Sequence, residues 1–151
     1  MNDPIQATDP MTAAKPYLDL AEEVAKVAAA VRSVCCAAEL RLSAPLPQAL
    51  TQMQQVLDQL DYLFACCQRH AIELLRDTAC SPPQEPPLFL PVPELTNNEE
   101  LAGFLDTPIR HLCAVFAAAR PWFKYPNLLS RLAADLTRAE PDLLRCLSTH
   151  L

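Results

Sequence analysis

Glycine is nearly missing from this chain: Gly103 is the only one in 151 residues. Tight hairpins, phosphate-cradling loops and dinucleotide-binding turns all draw on glycine's conformational freedom. P-loop and Rossmann readings are therefore excluded. No Cys-x-x-Cys or other zinc spacing occurs, and there is no Ser-centred elbow. Long uninterrupted apolar runs are absent too. The nearest, VAKVAAAVRSVCCAA, is broken by Lys26 and Arg32, as in an amphipathic helix and unlike a membrane span. The opening MNDPIQATDPMTAA has neither a basic n-region nor an apolar h-region, so no secretory signal is expected.

What remains is apolar (51%), modestly charged (20%) and net −6, a composition that suits one folded domain of about this length. The seven cysteines are odd in number, and two adjacent pairs, Cys35-Cys36 and Cys66-Cys67, fall within apolar helical runs. Such a pattern is not a disulfide framework, and it points to a reducing, cytoplasmic location. Charge is uneven along the chain. Residues 80–106 hold five acids and no base, whereas residues 107–151 hold six bases against three acids.

Helical periodicity dominates the first half. Leu20, Val24, Val27, Val31, Val34 and Ala38 follow alternating steps of four and three. Leu50, Met53, Leu57, Leu60, Phe64, Cys67, Ala71 and Leu74 do the same. Two helices joined by the short, proline-bearing RLSAPLPQ should lie antiparallel, as a hairpin over residues 14–78. The second helix carries a further stripe, Ala49, Val56 and Leu63, with Ile72 and Leu75 on its flank. A two-helix hairpin cannot bury both stripes. Either the C-terminal helices or a second copy must cover the other.

Six prolines between Pro82 and Pro93 forbid helix and central strand, so residues 79–96 read as a stiff extended strap. Pro83 and Pro86 form a PxxP, but no Arg or Lys stands nearby, as SH3-type ligands usually require. Leu88, Phe89 and Leu90 are expected to pack down. Beyond it, Thr96 with Glu99 reads as a capping box, with Asn97 or Asn98 as alternative caps, Thr107-Pro108 as a second helix start, Asn127 as a further cap and Pro141 as a break. The expected fold is thus all-α: a flexible segment over 1–13, then a single helical domain over 14–151. In that domain the hairpin, the strap and a 97–151 cluster of several short helices form an irregular four- to five-helix bundle.

Chemistry is sparse. Neighbouring residues on a helix point about 100° apart, so each Cys-Cys pair chelates poorly and reads as core. His70 lies three and four residues beyond Cys67 and Cys66, a spacing open to a thiol–imidazole pair, yet no oxyanion loop accompanies it. No carboxylates pair in an apolar setting. No enzymatic activity, cofactor or metal site is expected.

The stretch ARPWFKYPNLLSR concentrates Trp122, Phe123 and Tyr125, three of the nine aromatic residues, with Arg120, Lys124 and Arg131 between and beside them. Pro121 and Pro126 make it a turn between helices. Its aromatics either plug a bundle end or anchor a partner, Trp, Tyr and Arg being enriched at interface hot spots. An acidic chain has little attraction for nucleic acid, and a single Lys among aromatics gives weak membrane attachment. The expected function is a non-catalytic helical protein-protein interaction factor, adaptor, chaperone-like or regulatory. Its partner is another protein or itself as a homodimer, with no nucleic acid and no membrane. The expected partner-binding residues are Arg120, Trp122, Phe123, Lys124, Tyr125, Val56 and Leu63. The alternative is a carrier or sensor of small hydrophobic ligands, its cavity lined by Met53, Leu63, Phe64, Cys67 and Phe116.

Overall fold

The computed structural model describes residues 9–76, 78 and 85–151, and among them every regular element is helical. The elements are α1 (Pro10–Arg41), α2 (Gln48–Leu75), α3 (Asn98–Ala119) and α4 (Pro126–His150). Helix α1 begins before the expected residue 14 because Asp9 and Pro10 together make a start signal. Asp9 Oδ1 accepts the Met11 N–H at 2.8 Å and Oδ2 accepts the Thr12 hydroxyl at 2.8 Å. Pro10 fills the first helical turn, where a missing N–H costs nothing. The Thr12 hydroxyl, followed by the Met11 N–H, holds the Asp9 carboxyl below its ordinary pKa.

The C-terminal region differs from the expectation of several short helices. It forms two long ones, of 22 and 25 residues, with Pro108 and Pro141 inside them. An interior proline forfeits a backbone hydrogen bond and costs about 3 kcal/mol. Each proline lies in an unbroken apolar stripe. Leu105, Ile109 and Leu112 are buried around the first, and Leu136, Ala139 and Leu143 around the second. Burying one large aliphatic side chain contributes about 1.5–3 kcal/mol. Ending either helix at its proline would uncover more than the proline forfeits. Of the alternative caps for α3 the structure uses Asn97, while the cap of α4 lies ahead of Asn127. Asn97 Oδ1 accepts the Glu100 N–H at 3.1 Å to start α3, and Pro126, ahead of Asn127, opens α4.

Helix α1 packs on α2 and α3, and α4 packs on the same two. Ring contacts between Tyr17 and both His70 and Trp122 bring the start of α1, the end of α2 and the α3–α4 turn to one end. From there the strap carries the chain back along α1. Arg32 donates to the Leu88 carbonyl at 2.8 Å and pairs with Asp61 of α2 at 2.5 Å. Ser33 Oγ accepts the Leu90 N–H at 2.8 Å and donates to Ala29 O at 2.7 Å. Leu95 is then buried ahead of α3. With neighbours on three sides, α1 is buried almost all round between Val27 and Ala38, and its small residues Ala28, Ala29 and Ala30 allow that close approach.

Of Leu88, Phe89 and Leu90, only Leu90 packs on the core, as Val92 does further along, whereas Leu88 and Phe89 point outward, 62% and 56% exposed. The strap is fixed by its backbone through Arg32 and Ser33, which frees the side chains of 88 and 89. Residues 1–8, Cys80 and the Pro82–Pro83 portion of the proline-rich segment lie outside the described residues.

Candidate functional site

The α3–α4 turn is wound tightly by backbone bonds. Trp122 and Phe123 both donate to Ala119 O, at 3.2 and 2.9 Å, and Arg120 donates to Phe116 O at 3.1 Å. Pro121 and Pro126 prevent either helix from running through it. The turn therefore spreads its side chains over two grooves. Trp122 borders one between α1 and α3, with Lys15, Pro16, Leu20 and Val115. Phe123, Lys124 and Tyr125 border the other, a pocket of about 200 Å³ against α2 and the start of α4.

Helix α2 supplies Tyr62, Leu63, Cys66, Cys67 and His70 to that pocket; α1 contributes Tyr17 and α4 contributes Leu128. A ladder of edge-on rings connects the pieces: His70 to Tyr17 (4.4 Å), Tyr17 to Trp122 (5.2 Å), Trp122 to Phe123 (6.0 Å) and Phe123 to Tyr125 (6.4 Å). Inclinations of 64–78° are the edge-to-face geometry that aromatic quadrupoles favour. Lys124 Nζ lies 5.6 Å from the centre of the Tyr125 ring, within cation–π range. Phe123 is half-buried against the core, while Tyr62 and Tyr125 stand 67% and 58% exposed at the rim.

The buried thiol of the pocket, Cys67, is a poor nucleophile. Burial, and then the neighbouring Cys66, pushes the Cys67 thiol up to about 12. A hydrogen bond with Cys66 raises the Tyr62 phenol. No carboxylate lines the pocket to orient His70. Among the described residues no three His, Cys, Asp or Glu side chains stand together so as to hold a metal ion. The arrangement offers an apolar floor, aromatic walls and an ammonium at the lip. It can receive a side chain or a ring.

Of the residues expected to bind a partner, Phe123, Lys124, Tyr125 and Leu63 meet in this pocket, Leu63 as its fully buried floor. Trp122, 41% exposed, belongs to the neighbouring groove, and Arg120 is exposed on the turn itself. Val56 stands apart from them. It is 6% exposed, in the seam where α4 covers α2 beside Asp135, Arg138 and Ala139. Val56 and Leu63 of the second stripe are therefore covered within the chain, whereas Ala49 is half-buried and Ile72 on the flank is 46% exposed. Sequence reasoning missed Tyr17, Tyr62 and Cys66 as pocket residues. The signal for the latter two was available, because Tyr62, Cys66 and His70 stand at i, i+4 and i+8 on one face of α2. Tyr17 carries no such signal.

Of the side chains expected to enclose an internal ligand, Met53, Leu63, Cys67 and Phe116 are at most 1% exposed and packed in one continuous core. No helix of the described residues is long and apolar enough to cross a membrane. Comparisons with protein-family models, with curated protein sequences and with solved structures find no match.

Proposed function

We propose that this chain is a non-catalytic helical interaction protein, adaptor-like or regulatory, that holds one side chain of another protein in the pocket between α2 and the α3–α4 turn. The observation that carries this reading is the pocket itself. Two half-exposed tyrosines and a lysine ring a fully buried floor, an arrangement typical of an interface anchor point. The carrier reading is disfavoured because Met53, Leu63, Cys67 and Phe116, its expected cavity liners, are packed in the core. Burial of Val56 argues against a homodimer through the second stripe. The unpaired thiols Cys35, Cys36, Cys66, Cys67, Cys113 and Cys146 support a reducing, cytoplasmic setting.

The test is photo-crosslinking in the cells that naturally make the protein. Tyr62 and Tyr125 are replaced in turn by p-benzoylphenylalanine, with Gln52, exposed on the α2–α4 seam, as control position. The expected result is the same partner trapped from 62 and 125 and not from 52. That partner, purified, then loses affinity for the Tyr125→Ala chain. Adducts shared equally by all three positions would refute the reading, and adducts only of the chain with itself would move it to self-association.

A further inference from the structure

Carboxylates outnumber Lys and Arg by 18 to 12 in this chain, so a basic side chain without an acidic partner calls for explanation. Six of the twelve, Lys15, Lys26, Arg32, Arg110, Arg138 and Arg145, have a carboxylate within 4.0 Å. Of the other six, Arg41 stands at the far end of α1. Arg69, Arg76, Arg120, Lys124 and Arg131 are on or just past the last turns of α2, in the α3–α4 turn, or in the first turns of α4. Among the described residues, none of these five has an ion-pair partner. They gather at the end that carries the pocket, and the sequence from 107 to 134 contains no acid at all. Glu73 is the only carboxylate on the last three turns of α2.

Clustered like charges repel one another and destabilise the fold that holds them. One of the five, Lys124, lines a pocket whose ten lining residues also include His70 and no acid, and the other four stand on the elements that build it. The volume fixes the size of the occupant. A cavity of about 150 Å³ holds a benzene ring, so roughly 200 Å³ takes one large side chain and no more.

We infer that the occupant is an acidic protein segment, with one large apolar or aromatic side chain seated in the pocket and flanking carboxylates on the unpaired cations around it. This rests on the reading of the pocket as a partner site and adds the chemistry of the partner. The charge pattern also sets the approach. An acidic segment is repelled by most of this −6 chain and drawn to one end, which fixes orientation and speeds encounter. Aromatic rings among basic residues also suit nucleic acid. A strand binds by stacking successive bases along a groove, however, and here the pocket beside Lys124 offers room for one ring.

The experiment is an NMR titration of the full chain with four probes. Three are acetylated, amidated peptides: Glu-Glu-Phe-Glu-Glu, its counterpart with every Glu replaced by Gln, and Glu-Glu-Ala-Glu-Glu. The fourth is a short oligothymidylate. The acidic Phe peptide is expected to shift the amides of Tyr62, Cys66, Lys124 and Tyr125. It should bind about tenfold tighter than the Gln version, the yield of a few exposed ion pairs. That gap should shrink between about 20 mM and 500 mM salt. Arg120→Gln with Arg131→Gln, both exposed positions outside the pocket lining, should weaken the acidic peptide and leave the Gln peptide unchanged. Equal binding of the Glu and Gln peptides would overturn the acidic partner and leave the pocket reading intact. Equal binding of the Ala and Phe peptides would overturn the seated side chain. Tighter binding of the oligothymidylate would make the partner a nucleic acid. No shift at the pocket with either Phe peptide at millimolar concentration would overturn both readings.

Discussion

Val56→Glu tests whether α4 closes the second stripe of α2 within one chain. Val56 is 6% exposed and shares its seam with Asp135, Arg138, Ala139 and Asp142. The substitution forfeits the valine's burial, about 1.5–2 kcal/mol. It also sets a carboxylate beside two others, with Arg138 already 2.5 Å from Asp135. A poorly paired, partly buried charge brings the loss to about 3–5 kcal/mol. For a chain of this size that lowers Tm by roughly 10–15 °C. Val56→Gln has the same length without the charge and should cost about half as much. Burial and the neighbouring carboxylates make the folded chain hold the introduced proton more firmly than the unfolded chain does. The gap between the Glu and Gln variants should therefore narrow as pH falls toward about 4.3. Calorimetry across pH, with light scattering for mass, measures all of this. A Val56→Glu chain that melts within about 2 °C of wild type, or a dimer it converts to a folded monomer, would refute packing by α4 in cis.

Three further outcomes are expected. Ser33→Ala removes the acceptor of the Leu90 N–H, worth about 1–3 kcal/mol, so exchange of that amide should quicken roughly 5- to 150-fold; unchanged protection would mean that the strap is held otherwise. Burial first, and then Asp106, raises the Glu140 carboxyl above its ordinary pKa, with Arg110 opposing. Because the folded chain then holds that proton more firmly, ionised Glu140 weighs against folding as pH rises; Glu140→Gln should raise Tm at pH 7, by about 2–4 °C per kcal/mol recovered, and the gain should vanish below the ordinary glutamate range. Burial pushes the Cys35 and Cys67 thiols up to about 12, leaving about one part in ten thousand as thiolate at pH 8; iodoacetamide should spare both until guanidinium unfolds the chain, and rapid native alkylation would contradict their burial.

The seam residues of α1 and α2 were legible because steps of three and four are a direct print of helix geometry on a buried face. Val24, Val31, Leu50, Met53 and Leu60 are all fully buried. Prolines misled in two directions. Pro108 and Pro141 read as breaks, but continuous stripes of buried leucine and isoleucine carry α3 and α4 past them. Pro10 was passed over, although with Asp9 it marks the true start of α1. In the strap, composition predicted apolar residues packed down, yet the decisive contacts are backbone groups held by Arg32 and Ser33, which composition cannot display. The aromatic turn was visible as a cluster. Its division between two grooves depends on which way each ring leaves a turn, and that follows only from the packing of four helices.

The pocket has a simple origin in helix lengths. α1 and α2 have 32 and 28 residues, whereas α3 and α4 have 22 and 25. Leu63 of α2 and Leu128 in the first turn of α4 border the same pocket, so the cover that α4 lays over α2 begins near that level. From Leu63 to His70, about 10 Å of helix at 1.5 Å per residue, α2 is faced mainly by the turn residues Phe123, Lys124 and Tyr125. The surplus apolar surface of α2 and the aromatic turn, two separate features of the sequence, are thus one place in the fold. Plugging the bundle end and anchoring a partner are accordingly not rival roles. Phe123, half-buried on the core, closes the end, while Tyr62 and Tyr125, left outward by the same turn, can meet a partner without unpacking it. Exchanging either rim tyrosine should therefore alter binding with little change in Tm, whereas truncating Phe123 should lower both.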